Sequence, residues 1–168
     1  MLTLDLPEGP RDVTAADAEL WETPIAALFA IGLTNLGQEH RFQRTVRHLP
    51  GGAELVAFRG ESVFAAAQLL VVPTLLTEQP PFGALACVPK SDLLLIHPIV
   101  DRHSLAALEE LALLSARLYE AGPKSLSPHL YWSEGKRLMR LPVTLEGQTV
   151  HFRPPPRFAA KVVEPLQG

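Results

Sequence analysis

The first chemistry the sequence raises is nucleophilic catalysis. Its one cysteine, Cys87, precedes His97 in the stretch "ALACVPKSDLLLIHPIV" (84–100), with Ser91 and Asp92 between them. A working dyad needs about 2.6–3.2 Å between nucleophile and base. With Pro89 to Asp92 as a four-residue turn between two strands, Val88 faces Leu93, Cys87 faces Leu94 and Ala84 faces His97. Side chains alternate along a strand, so this register puts Cys87 and His97 on opposite sides of the sheet. A one-residue bulge would restore a common face, with Cys87 opposite Leu93 and about 13 Å from His97 along the strand. Neither register joins them. Cys87 is expected to be a small buried hydrophobe, and Ser91 and Asp92 to be turn residues rather than two-thirds of a triad.

Metal ligation is the second chemistry. The six histidines, His40, His48, His97, His103, His129 and His151, include no pair at the spacing of one helix face, and no CxxC is present. His97, Asp101 and His103 cluster at a strand-to-helix junction and are the one set able to offer three ligands. The simpler assignment has Asp101 capping the helix and the histidines in water, so no metal is expected. Glu109 and Glu110 diverge on the polar face of that helix. The Gly51-Gly52 pair lacks the context of a phosphate-binding loop. No catalytic residue and no cofactor is therefore expected.

Recognition chemistry is better represented. In "HLYWSEGKRLMR", His129, Tyr131 and Ser133 share one face of a strand, with Leu130 and Trp132 on the other. The next strand brings Arg137 and Arg140. Aromatic residues with arginine are the composition of interfaces, so His129, Tyr131, Trp132, Arg137 and Arg140 form the candidate binding set. The plainer alternative places Trp132 in the core and the arginines in solvent.

Elements must position these residues. "TPIAALFAIGLTNLGQEH" predicts a helix, with Thr23 as N-cap, Pro24 at the first position and Gly37 as stop. Its apolar residues Ile25, Leu28, Phe29, Leu33 and Leu36 recur at helical spacing. Upstream, Thr14 caps a short turn that ends at Trp21. "FQRTVRHL" and "AELVAFR" pair across Gly51-Gly52. "ESVFAAAQLLVVPTLLTEQPP" reads as a helix apolar all round, broken or kinked by Pro73. The opening hairpin follows, then a helix through "DRHSLAALEELALLSARLYEAGP" capped by Asp101 or Ser104. "HLYWSEGKRLMRLPVTLEGQTVHFRPP" predicts a three-stranded meander turning at Glu134-Gly135 and Glu146-Gly147, with Pro142 marking an edge or bulge.

The order α-ββ-α-ββ-α-βββ predicts an α+β fold, an antiparallel sheet with helices on one face. Residues 1–168 are expected to form a single domain, and 155–168 a tail that caps the domain or frays. The composition is that of an ordinary globular chain, 47% hydrophobic and 20% charged. A net charge of −3 offers no electrostatic footprint for nucleic acid. A lone cysteine argues against a disulfide-stapled scaffold, and neither a signal peptide nor a membrane span is evident. A cytoplasmic location is expected.

Three islands, "WETPIAALFAIGLTNL", "VPKSDLLLIHPI" and "LSPHLYWSEGKRLMRLPV", resemble an uncharacterised bacterial family, the YtpQ-like domain of unknown function. The resemblance rests on Asn35-Leu36, Val88-Pro89, Asp92 with Leu93-Leu94, Ser127-Pro128, Leu130-Tyr131 and Gly135. It spans residues 13 to 143 and departs from the family pattern at Lys90-Ser91, where the family has Asn-Arg. It implies a bacterial origin and a fold, and carries no catalytic residues.

The leading expectation is a non-catalytic protein-binding, chaperone- or adaptor-like module, with another protein as partner and a homodimer among its expected states. Two alternatives stand beside it. One is a small hydrolase or metal-dependent enzyme with its site near His97, Asp101 and His103; the other is a small-molecule-binding domain.

Overall fold

The computed structural model describes residues 2–38, 42–60 and 64–167. The last residues of the first expected helix, His40 among the histidines, and the expected helix start at Glu61 lie outside the described residues. The chain divides into two compact units, 1–39 and 40–168, where a single domain is the expectation.

The first unit opens on a hairpin of β1 (Thr3–Leu6) and β2 (Gly9–Asp12), unforeseen because "DLPEGPRD" carries no strand-like alternation. Helix α1 (Ala15–Leu20) starts on a capping box. Thr14 Oγ1 accepts from the Asp17 amide at 3.2 Å, and Asp17 accepts from the Thr14 amide at 2.8 Å. Arg11 completes this start, pairing with Asp17 at 3.0 Å. That guanidinium, helped by the Thr14 hydrogen bonds, holds the Asp17 carboxyl far below the usual carboxylate range. Helix α2 (Ile25–Gly37) begins one residue beyond Pro24 and runs through Gly37.

The second unit is built on one six-stranded antiparallel sheet in the order β3-β4-β6-β5-β7-β8. Its strands are β3 (Gln43–His48), β4 (Glu54–Arg59), β5 (Ala84–Lys90), β6 (Leu93–Pro98), β7 (Leu130–Glu134) and β8 (Arg137–Arg140). The α+β class and the antiparallel pairing follow the expectation; the helices differ in placement. Between β4 and β5 lie α3 (Phe64–Ala67), a 3-10 turn (Gln68–Val71) and α4 (Val72–Leu75). Pro73 sits in the first turn of α4, so the expected break occurs where the ring removes an N–H. Leu69 and Val72 from this segment pack with Val56, Phe58, Ala84, Ala86, Leu94 and Ile96. Helix α5 (His103–Glu120) covers the opposite face, where Ala107, Leu108, Leu111 and Ala112 pack on Leu55, Leu85, Cys87 and Leu95. Helices therefore stand on both faces. The physical reason is visible in β5 and β6, which are buried at nearly every position and read as unbroken apolar runs rather than alternating ones.

The expected meander separates into two hairpins. Strands β7 and β8 extend the main sheet, while β9 (Val143–Glu146) pairs, among the described residues, only with β10 (Thr149–Phe152). Pro142, which has no N–H for a ladder, marks the break, beside a Leu141 that is 1% exposed. The turns fall at Gly135 and Gly147 as the Glu-Gly signals indicate. The end of the chain is helical, through α6 (Pro156–Phe158), a π-turn (Ala159–Val163) and α7 (Glu164–Gln167). It sends Phe158 and Val162 into the core. Phe158 meets Trp132 edge-to-face at 5.2 Å and Phe152 at 5.6 Å.

Candidate functional site

Strand β6 carries His97 to the mouth of a cavity, and the register corrects the expected one. Leu85 pairs with His97 and Cys87 with Leu95, with a bulge between Cys87 and Lys90. Cys87 and His97 thus share the α5 face after all, as diagonal neighbours with an expected Cα separation of about 7–8 Å. They still form no dyad, because each is engaged elsewhere. Cys87 is fully buried, and burial pushes its thiol up to about 12 against the pull of the Ser115 hydroxyl. His97 turns its Nδ1 to the Glu54 carbonyl at 2.6 Å. Asp92, in the β5–β6 turn, pairs instead with Lys124 at 3.1 Å. The triad reading has no geometric support.

A carbonyl only accepts, so His97 Nδ1 carries the proton and donates it to Glu54. Nε2 is then a bare acceptor on the other edge of the ring, buried and without a hydrogen-bond partner. Burial lowers the His97 pKa; the Glu54 carbonyl and the nearby carboxylates Asp101, Glu54 and Glu110 oppose it without prevailing. Asp101 caps the start of α5 through the His103 amide at 2.8 Å and faces the His103 ring at 3.4 Å, with both side chains exposed. Ser104 lies inside the helix and is buried. His97, Asp101 and His103 all border one cavity of about 470 Å³, yet no group of three metal-ligating side chains converges among the described residues.

The candidate recognition residues are divided by the sheet. Tyr131 pairs with Arg140 on the face that carries α3 and α4, while Trp132 pairs with Met139 on the α5 face. Trp132 is 2% exposed and donates its Nε1–H to the Phe82 carbonyl at 2.9 Å, so it is a core residue and no contact surface. Tyr131 and His129 are half-buried, and Arg137 and Arg140 are exposed along the edge strand β8. Burial, with Arg140 nearby, lowers the His129 pKa.

The feature missed by sequence reasoning is α2. Its apolar residues suggest a core helix, but none of its thirteen residues is buried. Leu28, Gly32 and Leu36, four apart, form its half-buried stripe, and Leu2 of the hairpin approaches Gly32. Ile25, Phe29 and Leu33 are 49, 44 and 41% exposed, and Ile31 53%. The signal was available: positions 25 to 37 contain no charged residue, so this helix has no solvent face to offer.

Compared with known proteins, the chain matches no family model, no curated protein and no solved structure. No helix among the described residues is long and apolar enough to cross a membrane.

Proposed function

We propose that this chain is a protein-binding module that works without chemistry of its own and associates, through α2, with a second copy of itself. The observation that carries the proposal is the uncharged, unburied α2. Ile25, Phe29, Ile31 and Leu33, together with Leu20 and Trp21 just before them, are exposed. Ile25, Phe29 and Leu33, four apart on one face, leave on the order of 300 Å² of apolar surface exposed. A stripe of that size lies within the range of the largest apolar patches that monomers carry, which are often functional. A helix without charges has no steering or rejecting element for a charged partner, and a two-fold contact lets the same stripe serve both sides.

Cys87 supports the non-catalytic half of the proposal, since its thiol is buried and held protonated. The β8 edge with Arg137 and Arg140 is the second surface open to a partner.

Sedimentation equilibrium tests this directly. The wild-type chain is expected as a dimer at micromolar concentration. A Phe29→Glu, Leu33→Glu variant is expected as a monomer with unchanged circular dichroism. A wild-type chain that stays monomeric at every concentration overturns the proposal.

A further inference from the structure

The sheet ends on β3, and this edge differs in charge from the chain as a whole. From His40 to Ala53 the sequence holds Arg41, Arg44 and Arg47 and no aspartate or glutamate, in a chain of net charge −3. Strand β3 is bonded to β4 on one side only, and its six residues are all exposed. Among the described residues, no backbone hydrogen bond beyond the β4 ladder engages 43–48. Every second residue of such an edge turns its N–H and C=O outward, which makes a template for another strand. Among the described residues, no carboxylate pairs with Arg44 or Arg47. Charge also decides what can pair here. Two copies of β3 side by side and antiparallel would set Arg44 against Arg47 twice, with Cβ atoms about 4.5–5.5 Å apart, where like charges repel. The far edge, β8, carries Arg137 and Arg140 at its ends, so β3 of one copy against β8 of another is repelled as well. Arginines on an edge thus guard against self-association, and the same charge accepts a strand of opposite sign.

We propose that β3 receives an added strand from an acidic partner protein, an extended segment with two carboxylates three residues apart and a β-branched apolar residue between them. The spacing follows from the register. Arg44 and Val46 pair with Phe58 and Val56 and share the face of α3 and α4, and Val46 is 43% exposed. Arg47 pairs with Leu55 and lies on the α5 face. The added strand therefore offers one carboxylate to each face of the sheet and its apolar side chain to Val46. Backbone hydrogen bonds supply the affinity, and the two arginines select the partner. A nucleic acid fits less well, because β3 carries no aromatic side chain on which a base could stack. This contact needs neither α2 nor a dimer.

The test is an NMR titration of the full chain with the capped peptide Thr-Glu-Val-Thr-Glu-Thr and with its reverse, which serve the two strand directions. One of them is expected to bind saturably and to shift the amides of residues 43–48. The same peptide with lysine for glutamate is expected not to bind. An N-methylated form, which keeps the carboxylates and lacks the ladder donors, is expected not to bind either. Arg44→Thr, Arg47→Thr keeps a strand-forming edge and is expected to weaken binding about tenfold. Arg44→Glu, Arg47→Glu is expected to turn the preference to the lysine peptide; should it fail to fold, the threonine variant and the peptide series decide alone. No saturable binding of either glutamate peptide, equal binding of the N-methylated form, or full affinity in the threonine variant overturns the proposal. A thymidine oligonucleotide that shifts the same amides at equal affinity also overturns it. Sedimentation reads the α2 contact and this titration reads β3, so either can fail alone.

Discussion

Replacing Phe158 by alanine is expected to be among the most costly single changes in the last quarter of the chain. The ring is fully buried and touches Trp132 and Phe152 edge-to-face. Loss of a buried phenylalanine side chain costs about 3–5 kcal/mol through lost transfer energy and the cavity left behind. The two aromatic contacts add about 0.5–1.5 kcal/mol each at most, part of which the cavity figure already contains. A loss of about 4 kcal/mol takes a large share of the ~5–15 kcal/mol that holds a domain folded. Urea unfolding measures it. With a slope of about 2 kcal/mol per molar, the midpoint should fall by about 2 M. A Trp21→Phe background leaves Trp132 as the one tryptophan, so its emission should redden in the native baseline as water reaches the vacated site. Phe158→Leu, which keeps most of the volume, should lose less than about 1.5 kcal/mol. A loss under about 1 kcal/mol for Phe158→Ala, with Trp132 emission unchanged, would refute the assignment of this segment to the core.

Gly83→Ala is expected to destabilise by about 1–3 kcal/mol in the same assay: φ is +76°, and a Cβ would stand 2.3 Å from the Ser133 carbonyl oxygen. Cys87 is expected to resist Ellman's reagent at pH 8 in the native protein and to react at once in urea, since a thiol pushed up to about 12 is almost wholly protonated; rapid native labelling would contradict its burial. Stability is expected to fall as pH drops below 6.5. His97 is depressed in the folded state from an ordinary 6.5, so between those values the unfolded chain binds more protons, and the loss levels off below the folded value. His129 shifts in the same direction and adds to the slope. His97→Asn should flatten this pH dependence, and an unchanged slope would show that His97 does not carry it.

Local signals were legible. Gly51-Gly52, Gly135 and Gly147 sit at hairpin turns, Thr14 and Asp101 cap helices, and the α5 stripe of Leu108, Leu111, Ala112 and Ser115 points inward. What the sequence hid was long-range. Nothing local sets β4 beside β6, or β7 beside β5, because those pairings join segments far apart in the chain. The Cys87–His97 relation turned on register, and one bulge moved it. Trp132 could equally face water or core until Phe158, twenty-six residues on, closed over it. At the candidate sites, His97, Asp101 and His103 were found by clustering, but Glu54, Gly51 and Glu110 join them only through the fold. Helical periodicity shows that α2 has an apolar face without saying what covers it.

The most direct measurement for the central claim is hydrogen exchange along α2 as a function of protein concentration. If two copies meet through this helix, the amides of residues 28–37 should slow markedly between about 1 and 100 μM, while those in the middle of α5 stay constant. Exchange in α2 that is fast and independent of concentration would contradict the account.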